Sequence, residues 1–280
     1  MKLFWSETFK SFSRWRTYIA FGFIALIVLM TEIVMRLSAA EILSRMMKSF
    51  QKDFLIYGNV LNVWFVSSFI MNSLHIHIPF FITLVAGDIV SSEATAGTVR
   101  LLLIRPPSRS RIITAKYFTS LFYTAALVVF LGLLCVLPGL ALFGNGDLIV
   151  HHFGKFGIAF IPQGDVPVRM ALAFIAAVWA MFTVASLAFL LSTLAENSIG
   201  PIIGTMAVVI VFLVIGNFPF DFFRYIKPYL FTTYMVFWQQ LLDEPISWME
   251  AAKSAAILGG HSLGLFLIAF AIYVRKDIKS

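Results

Sequence analysis

Long apolar runs separated by short polar stretches set the rhythm of this chain. A helix that crosses a bilayer needs about 20 mostly apolar residues. Six runs meet that description, at residues 18–35, 63–86, 117–143, 170–193, 201–215 and 255–274. The fifth is short; the others are long enough to cross with some tilt. The pattern predicts an all-α fold, a single polytopic membrane domain over residues 1–280 with six transmembrane helices.

The stretches between the runs differ in kind. In residues 1–16, Leu3, Phe4, Phe9, Phe12 and Trp15 recur at near-helical spacing, with Lys10, Arg14 and Arg16 elsewhere on the wheel. That predicts an amphipathic helix lying in the headgroup layer. This basic start followed by an apolar run is also how a signal peptide begins, but the run exceeds the usual signal core of about 7–15 residues. It also carries Glu32 one turn from Arg36, where the two can neutralise each other. Residues 144–167 hold five glycines and two prolines and read as a loop. Residues 217–253 are rich in Phe and Tyr and broken by Pro219 and Pro228. Short interfacial or re-entrant helices are expected there, since irregular backbone enters a membrane only where protein covers its polar groups.

Composition agrees with a membrane class. The chain is 60% hydrophobic and 12% charged, against about a quarter charged for a soluble domain. The formal net charge of +7 is read as anchoring at an anionic membrane face rather than as nucleic-acid binding. Four basic residues in the leader, five in 87–116 and three in the tail make 12 of the 21. The positive-inside rule then puts both termini in the cytoplasm of a bacterial cell, with the chain in the plasma membrane. Cys135 is alone and sits in an apolar run, which excludes an intrachain disulfide.

The charge that the spans avoid collects in residues 87–116. A helix from Ser91 to about Leu103 would lie on the cytoplasmic surface, with Glu93 and Gly97 on one face and Ala94, Ala96, Gly97 and Thr98 as a small-residue contact. Pro106-Pro107 must stop it, and Ser108 can cap the next helix, which carries Arg109, Arg111 and Lys116 into the third span. The product is a rigid elbow suited to docking another protein.

The succession Asp88, Glu93, Gly97-Thr98, Arg100, Pro107-Ser108-Arg109 and Lys116 resembles the motif between the second and third spans of ABC-2 type transporter permeases. The resemblance implies the membrane subunit of an ATP-driven transporter, an exporter, working as a dimer with an identical or homologous second permease and two copies of an ABC ATPase. It implies that Asp88, Glu93, Gly97, Thr98, Arg100, Pro107, Arg109 and Lys116 form a coupling segment. Glu93 and Arg100 would make polar contacts across the ATPase interface, and Arg109 and Lys116 would hold lipid phosphates or the ATPase. The chain has no GxxxxGK[ST] phosphate loop, so it needs no cofactor of its own, and ATP and Mg would be bound by the partner. The link at 195–198 lacks a basic residue, a departure from a second strong cytoplasmic contact. The competing class is an ATP-independent carrier, channel or membrane assembly factor.

Other polar residues are few. Ser68, Asn72 and His75 share one helical face, either for hydrogen bonds between helices or to line a path. His75 and His77 point about 200° apart on a helix and cannot share a metal, so no metal site is expected. Gly200-x-x-x-Gly204 and Gly260-x-x-x-Gly264 allow close helix approach, within one chain or between two. His261 is expected to be a satisfied bundle histidine. With membrane-depth acids nearly absent and no nucleotide cradle, no catalytic residue is expected, and the chain is read as a transport subunit rather than an enzyme.

Overall fold

The computed structural model describes residues 2–39, 41, 44, 59, 61–95, 108–151 and 158–275. Helix α1 (Lys2–Phe12) leads, after a break at Ser13-Arg14, into α2 (Trp15–Leu37). Then come α3 (Val63–Leu74), α4 (His77–Ala86), the short α5 (Ser91–Thr95) and the long α6 (Arg109–Phe143). A hairpin, β1 (Leu148–His151) and β2 (Ile158–Ile161), precedes α7 (Val166–Leu194) and α8 (Ile199–Asn217). Two one-turn helices, α9 (Asp221–Arg224) and α10 (Phe231–Tyr234), alternate with 3₁₀ turns at Lys227–Tyr229 and Phe237–Leu242. The last described element is α11 (Trp248–Arg275).

Among the described residues five helices, α2, α6, α7, α8 and α11, are long and apolar enough to cross a membrane, or six spans if α3 and α4 are taken as one bent unit. The chain is therefore mostly helical and built from apolar helices of spanning length. Helix α7 is the hub, with more than half of its most apolar window buried. Its contacts with α11 are close: a Cβ on Gly259 would come within 3.1 Å of the Trp179 ring. Trp179 donates to the Ala255 carbonyl at 2.9 Å, and the hydroxyls of Thr183 and Ser262 lie 3.0 Å apart.

The structure departs from the sequence expectations at four places. First, the second apolar run is broken rather than straight, with a bend of 60° between α3 and α4. Pro79 explains it. It has no amide hydrogen, and its ring would clash with the carbonyl four residues back, at His75. It is tolerated only in the first turn of a new helix, and α4 begins at His77.

Second, residues 148–161 form antiparallel strands, with Leu148 opposite Ile161 and both fully buried, so the fold is not purely helical. Gly144, at φ +70°, turns the chain out of α6 toward the hairpin. Third, α1 turns its polar residues inward. Glu7, Thr8 and Ser11 are buried, whereas Trp5 and Phe9 are exposed. Fourth, Ser108 occupies the position before α6, but its side chain caps no amide there and lies 3.1 Å from the Ser110 hydroxyl.

Side-chain and backbone contacts sort the bundle into two ends. One end gathers α1, the start of α2, α5, the start of α6, the α7–α8 link and the end of α11. The other holds the α3 cap, the hairpin and the start of α7. There the Asn62 side chain accepts from the amides of Trp64 and Phe65 and donates to the Asp147 carbonyl at 2.6 Å, and Arg169 pairs with Glu244 at 2.5 Å.

Candidate functional site

The charged end is organised around Lys116. This residue lies about two turns inside α6, and its side chain is 1% exposed. An ammonium has three donors and no acceptor. Here they reach Glu7 Oε2 at 2.6 Å, Glu93 Oε1 at 2.7 Å and the Ile89 carbonyl at 3.4 Å. Lys10 donates to the same Glu93 oxygen from α1. The result is an alternating chain, Lys10, Glu93, Lys116, Glu7, with two charges of each sign. It explains the inward polar face of α1: Glu7 is needed where Lys116 is buried. Burial alone would push the Glu93 carboxyl up. The Lys116 charge and hydrogen bonds from Lys10 and Lys116 outweigh it and hold the carboxyl below its ordinary range.

A second tie holds the elbow's first residues. Arg14 donates from Nη1 to Asp88 Oδ2 at 2.5 Å and to the Ser92 hydroxyl at 3.0 Å. On the other flank, the Ser192 hydroxyl of α7 accepts from the amides of Val90 and Ser91 at 3.1 and 3.0 Å. The Ser91 amide is the first of α5 and the Val90 amide the one before it, so α7 supplies an acceptor at the start of α5. At Gly87 an added Cβ would stand 3.3 Å from Pro201 of α8, which makes the turn out of α4 a close passage. Arg109 reaches the Val274 carbonyl of α11 at 3.5 Å.

Of the residues singled out for coupling, Asp88, Glu93, Arg109 and Lys116 are thus brought to one end. Gly97, Thr98, Arg100 and Pro107 lie outside the described residues. Glu93 and Lys116, expected to reach a partner or lipid phosphates, are instead buried against each other. The partners Glu7, Lys10, Arg14 and Ser192 were missed. Glu7 was the available signal, as the one acid in a basic leader.

The break in the second run has its own chemistry. Breaking a helix strands carbonyls of its last turn. The His75 ring nitrogen Nδ1 donates to the Asn72 carbonyl at 2.7 Å, and that of His77 reaches the Ser73 carbonyl at 3.3 Å. Asn72 Oδ1 accepts from Gln239 at 2.7 Å, which fastens α3 to the 3₁₀ turn at 237–242. Ser68 bonds the Phe65 carbonyl of its own helix. Of the predicted polar face, only His75 lines a cavity beside the break, together with Met71, Met181, Met235, Phe174 and Trp238. That cavity measures about 40 Å³, room for a water or two rather than for a substrate.

Glu32 overturns a further expectation. It is fully buried, pairs with no Arg36 nitrogen within 4 Å, and neither carboxyl oxygen has a hydrogen-bond partner. Space for it comes from Gly139 of α6, where a Cβ would stand 3.2 Å from Glu32 Oε1. Helix α2 therefore carries a buried acid without a hydrogen-bond partner. His261 bonds the Ile257 carbonyl of its own helix, and Gly204 faces Leu191 of α7 within the same chain. Among the described residues no group of three His, Cys, Asp or Glu side chains could hold a metal.

Comparison with known proteins places the chain elsewhere than the motif suggested. Residues 23–279 match the model of a family described as "Protein of unknown function (DUF2705)". "Uncharacterized protein YhcI" of Bacillus subtilis (strain 168) is 30% identical over 211 residues, which is 71% of this chain and 64% of that protein. The chain thus spans somewhat under two thirds of the length of this curated relative. The resemblance to ABC-2 type permeases is corrected by these matches: the family that covers the chain is a different one. The spaced residues at 88–116 were too short a motif to decide a family.

Proposed function

The chain belongs to the DUF2705 family, and from that premise we propose that it is the membrane-embedded subunit of a transporter, worked from its charged end by a separate ATPase that binds ATP and Mg. In this reading the bent pair counts as one span, giving six. The end that holds α1 and α5 faces the cytoplasm, and the turns at 221–242 fold back toward the bundle. The substrate is hydrophobic or amphipathic, as the apolar walls around Met71, Phe174 and Trp238 suggest.

One observation carries the proposal. Helix α4 is a ten-residue rod, about 15 Å long at 1.5 Å per residue. One end joins the elbow at Gly87, and the other ends at the break beside the cavity. A displacement of the elbow is delivered to the break without passing through loop. Broken spans at membrane depth are tolerated where they line a cavity, and many transporters place their binding sites at such breaks. At about 40 Å³ the present cavity is too small for such a substrate, so transport requires α4 and the 237–242 turn to part.

The test is purification from native membranes in mild detergent. A co-purifying ATPase whose nucleotide hydrolysis drives substrate movement in liposomes is the expected result. Glu32 favours a second reading, a proton-coupled carrier that needs no ATPase, because a buried intramembrane acid marks ion pathways in many carriers. That reading predicts transport by the chain alone under an imposed pH gradient, abolished in Glu32→Gln.

A further inference from the structure

The junction of α1 and α2 opens onto a cleft of about 540 Å³. Three pieces of chain wall it: residues 13–16, the elbow residues Asp88 and Ser92, and Ser198 of the α7–α8 link. Its donors are largely unspent. No side chain caps the start of α2; the Thr17 amide bonds the Arg14 carbonyl at 3.1 Å, which leaves Trp15 and Arg16, both lining the cleft, with no side-chain cap on their amides. Arg16 is 60% exposed along its side chain, and its nearest acid oxygen, Asp88 Oδ1, is 3.9 Å away, beyond hydrogen-bond reach. Arg14 spends Nη1 on Asp88 and Ser92 and retains Nε and Nη2. The Asp88 contact fixes the Arg14 fork before any ligand arrives, which lowers the ordering cost of binding. Two guanidiniums against one carboxylate leave the cleft positive.

We propose that this cleft binds the phosphate group of an anionic glycerophospholipid, held between Arg16, the open start of α2 and the Ser198 hydroxyl. Planar guanidinium donors and a helix start are the groups that recognise phosphate. The lipid, rather than a soluble phosphate, follows from the surroundings. Phe9, Trp15 and Tyr18, on the two helices that flank the cleft, are 76, 73 and 57% exposed. Exposed aromatic rings of this kind settle at headgroup depth. The bound headgroup would add a bridge between the α1–α2 junction, already tied to the elbow through Arg14, and Ser198 of the α7–α8 link. The proposal does not depend on what the chain transports.

The experiment uses the full chain in detergent and reads the thermal midpoint and the lipid retained in native mass spectra. The additions are phosphatidylglycerol, phosphatidylcholine or inorganic phosphate. Phosphatidylglycerol is expected to raise the midpoint by several degrees and to remain bound, while phosphatidylcholine does neither. Arg16→Gln, an exposed position that the fold tolerates, is expected to weaken phosphatidylglycerol binding at least about tenfold. Ser198→Trp, which fills the cleft from another element, weakens it as well, and Arg111→Gln leaves it unchanged. Equal stabilisation by phosphatidylcholine, or undiminished binding in both cleft variants, overturns the proposal. An equal shift with inorganic phosphate would assign a soluble phosphate instead and overturn the lipid.

Discussion

At the scale of single residues, the cost of burying charge decides what each acid and base can do. Lys116 is the sharpest case, because it is the junction of two carboxylates. Replacing it by Met leaves Glu7 and Glu93 facing each other in a buried site. Breaking such a cluster costs about 3–5 kcal/mol, so a large fall in the thermal midpoint is expected, with much of it recovered when Glu7→Gln and Glu93→Gln are added. The same cluster sets an acid limit. Glu93 is held below its unfolded value, near 4.3, so its contribution is fully present above that value and is lost as pH falls through the folded one. The midpoint of the wild type should fall at pH below about 4, and Glu93→Gln should flatten that limb. Glu32 has the opposite logic. It has no partner to lose, so Glu32→Gln should unfold no earlier than the wild type, while Gly139→Ala, whose Cβ would lie 2.8 Å from Val63 Cγ2, should cost about 1–3 kcal/mol by overpacking. A marked loss of stability in Glu32→Gln would show that the carboxylate has a role the contacts do not reveal.

At the scale of elements, Pro79 and Ser192 shape the parts that move. Pro79→Ala restores the amide that a continuous helix needs. The variant should be more stable by a few degrees, with α3 and α4 straighter by spin-label distances, and inactive in transport. Ser192→Ala strands two amides at the start of α5 and should cost about 1–3 kcal/mol, seen as faster proteolysis within residues 88–95. These elements also show what sequence reading can reach. The spans were legible because apolar length is a local property, and the ends of α2, α6 and α7 fall within a turn or two of the expected runs, save where α6 extends into the elbow. The break at Pro79 was not legible, since a single proline leaves the apolar length of the run 63–86 unchanged. The hairpin was hidden because glycines and prolines between 144 and 167 masked two β-branched runs. The cluster of Glu7, Lys10, Glu93 and Lys116 was beyond reach for a different reason. Its members are 83 and 109 positions apart in the chain, and no local pattern encodes that meeting. For α1 the periodicity was right, but the polar face turned inward because a buried lysine waited there.

At the scale of the molecule, the two ends of the bundle have different work. One is tied by charge, the other by asparagine caps and the hairpin, and α4 runs between the charged elbow and the break. The central claim is that these two places are mechanically one. Hydrogen–deuterium exchange on the purified chain tests it directly, comparing wild type with Glu93→Lys. The account predicts faster exchange not only in α1 and α5 but also at residues 73–80 around the break, with the hairpin unchanged. Exchange that rises only at the charged end, leaving residues 73–80 as protected as before, would contradict it.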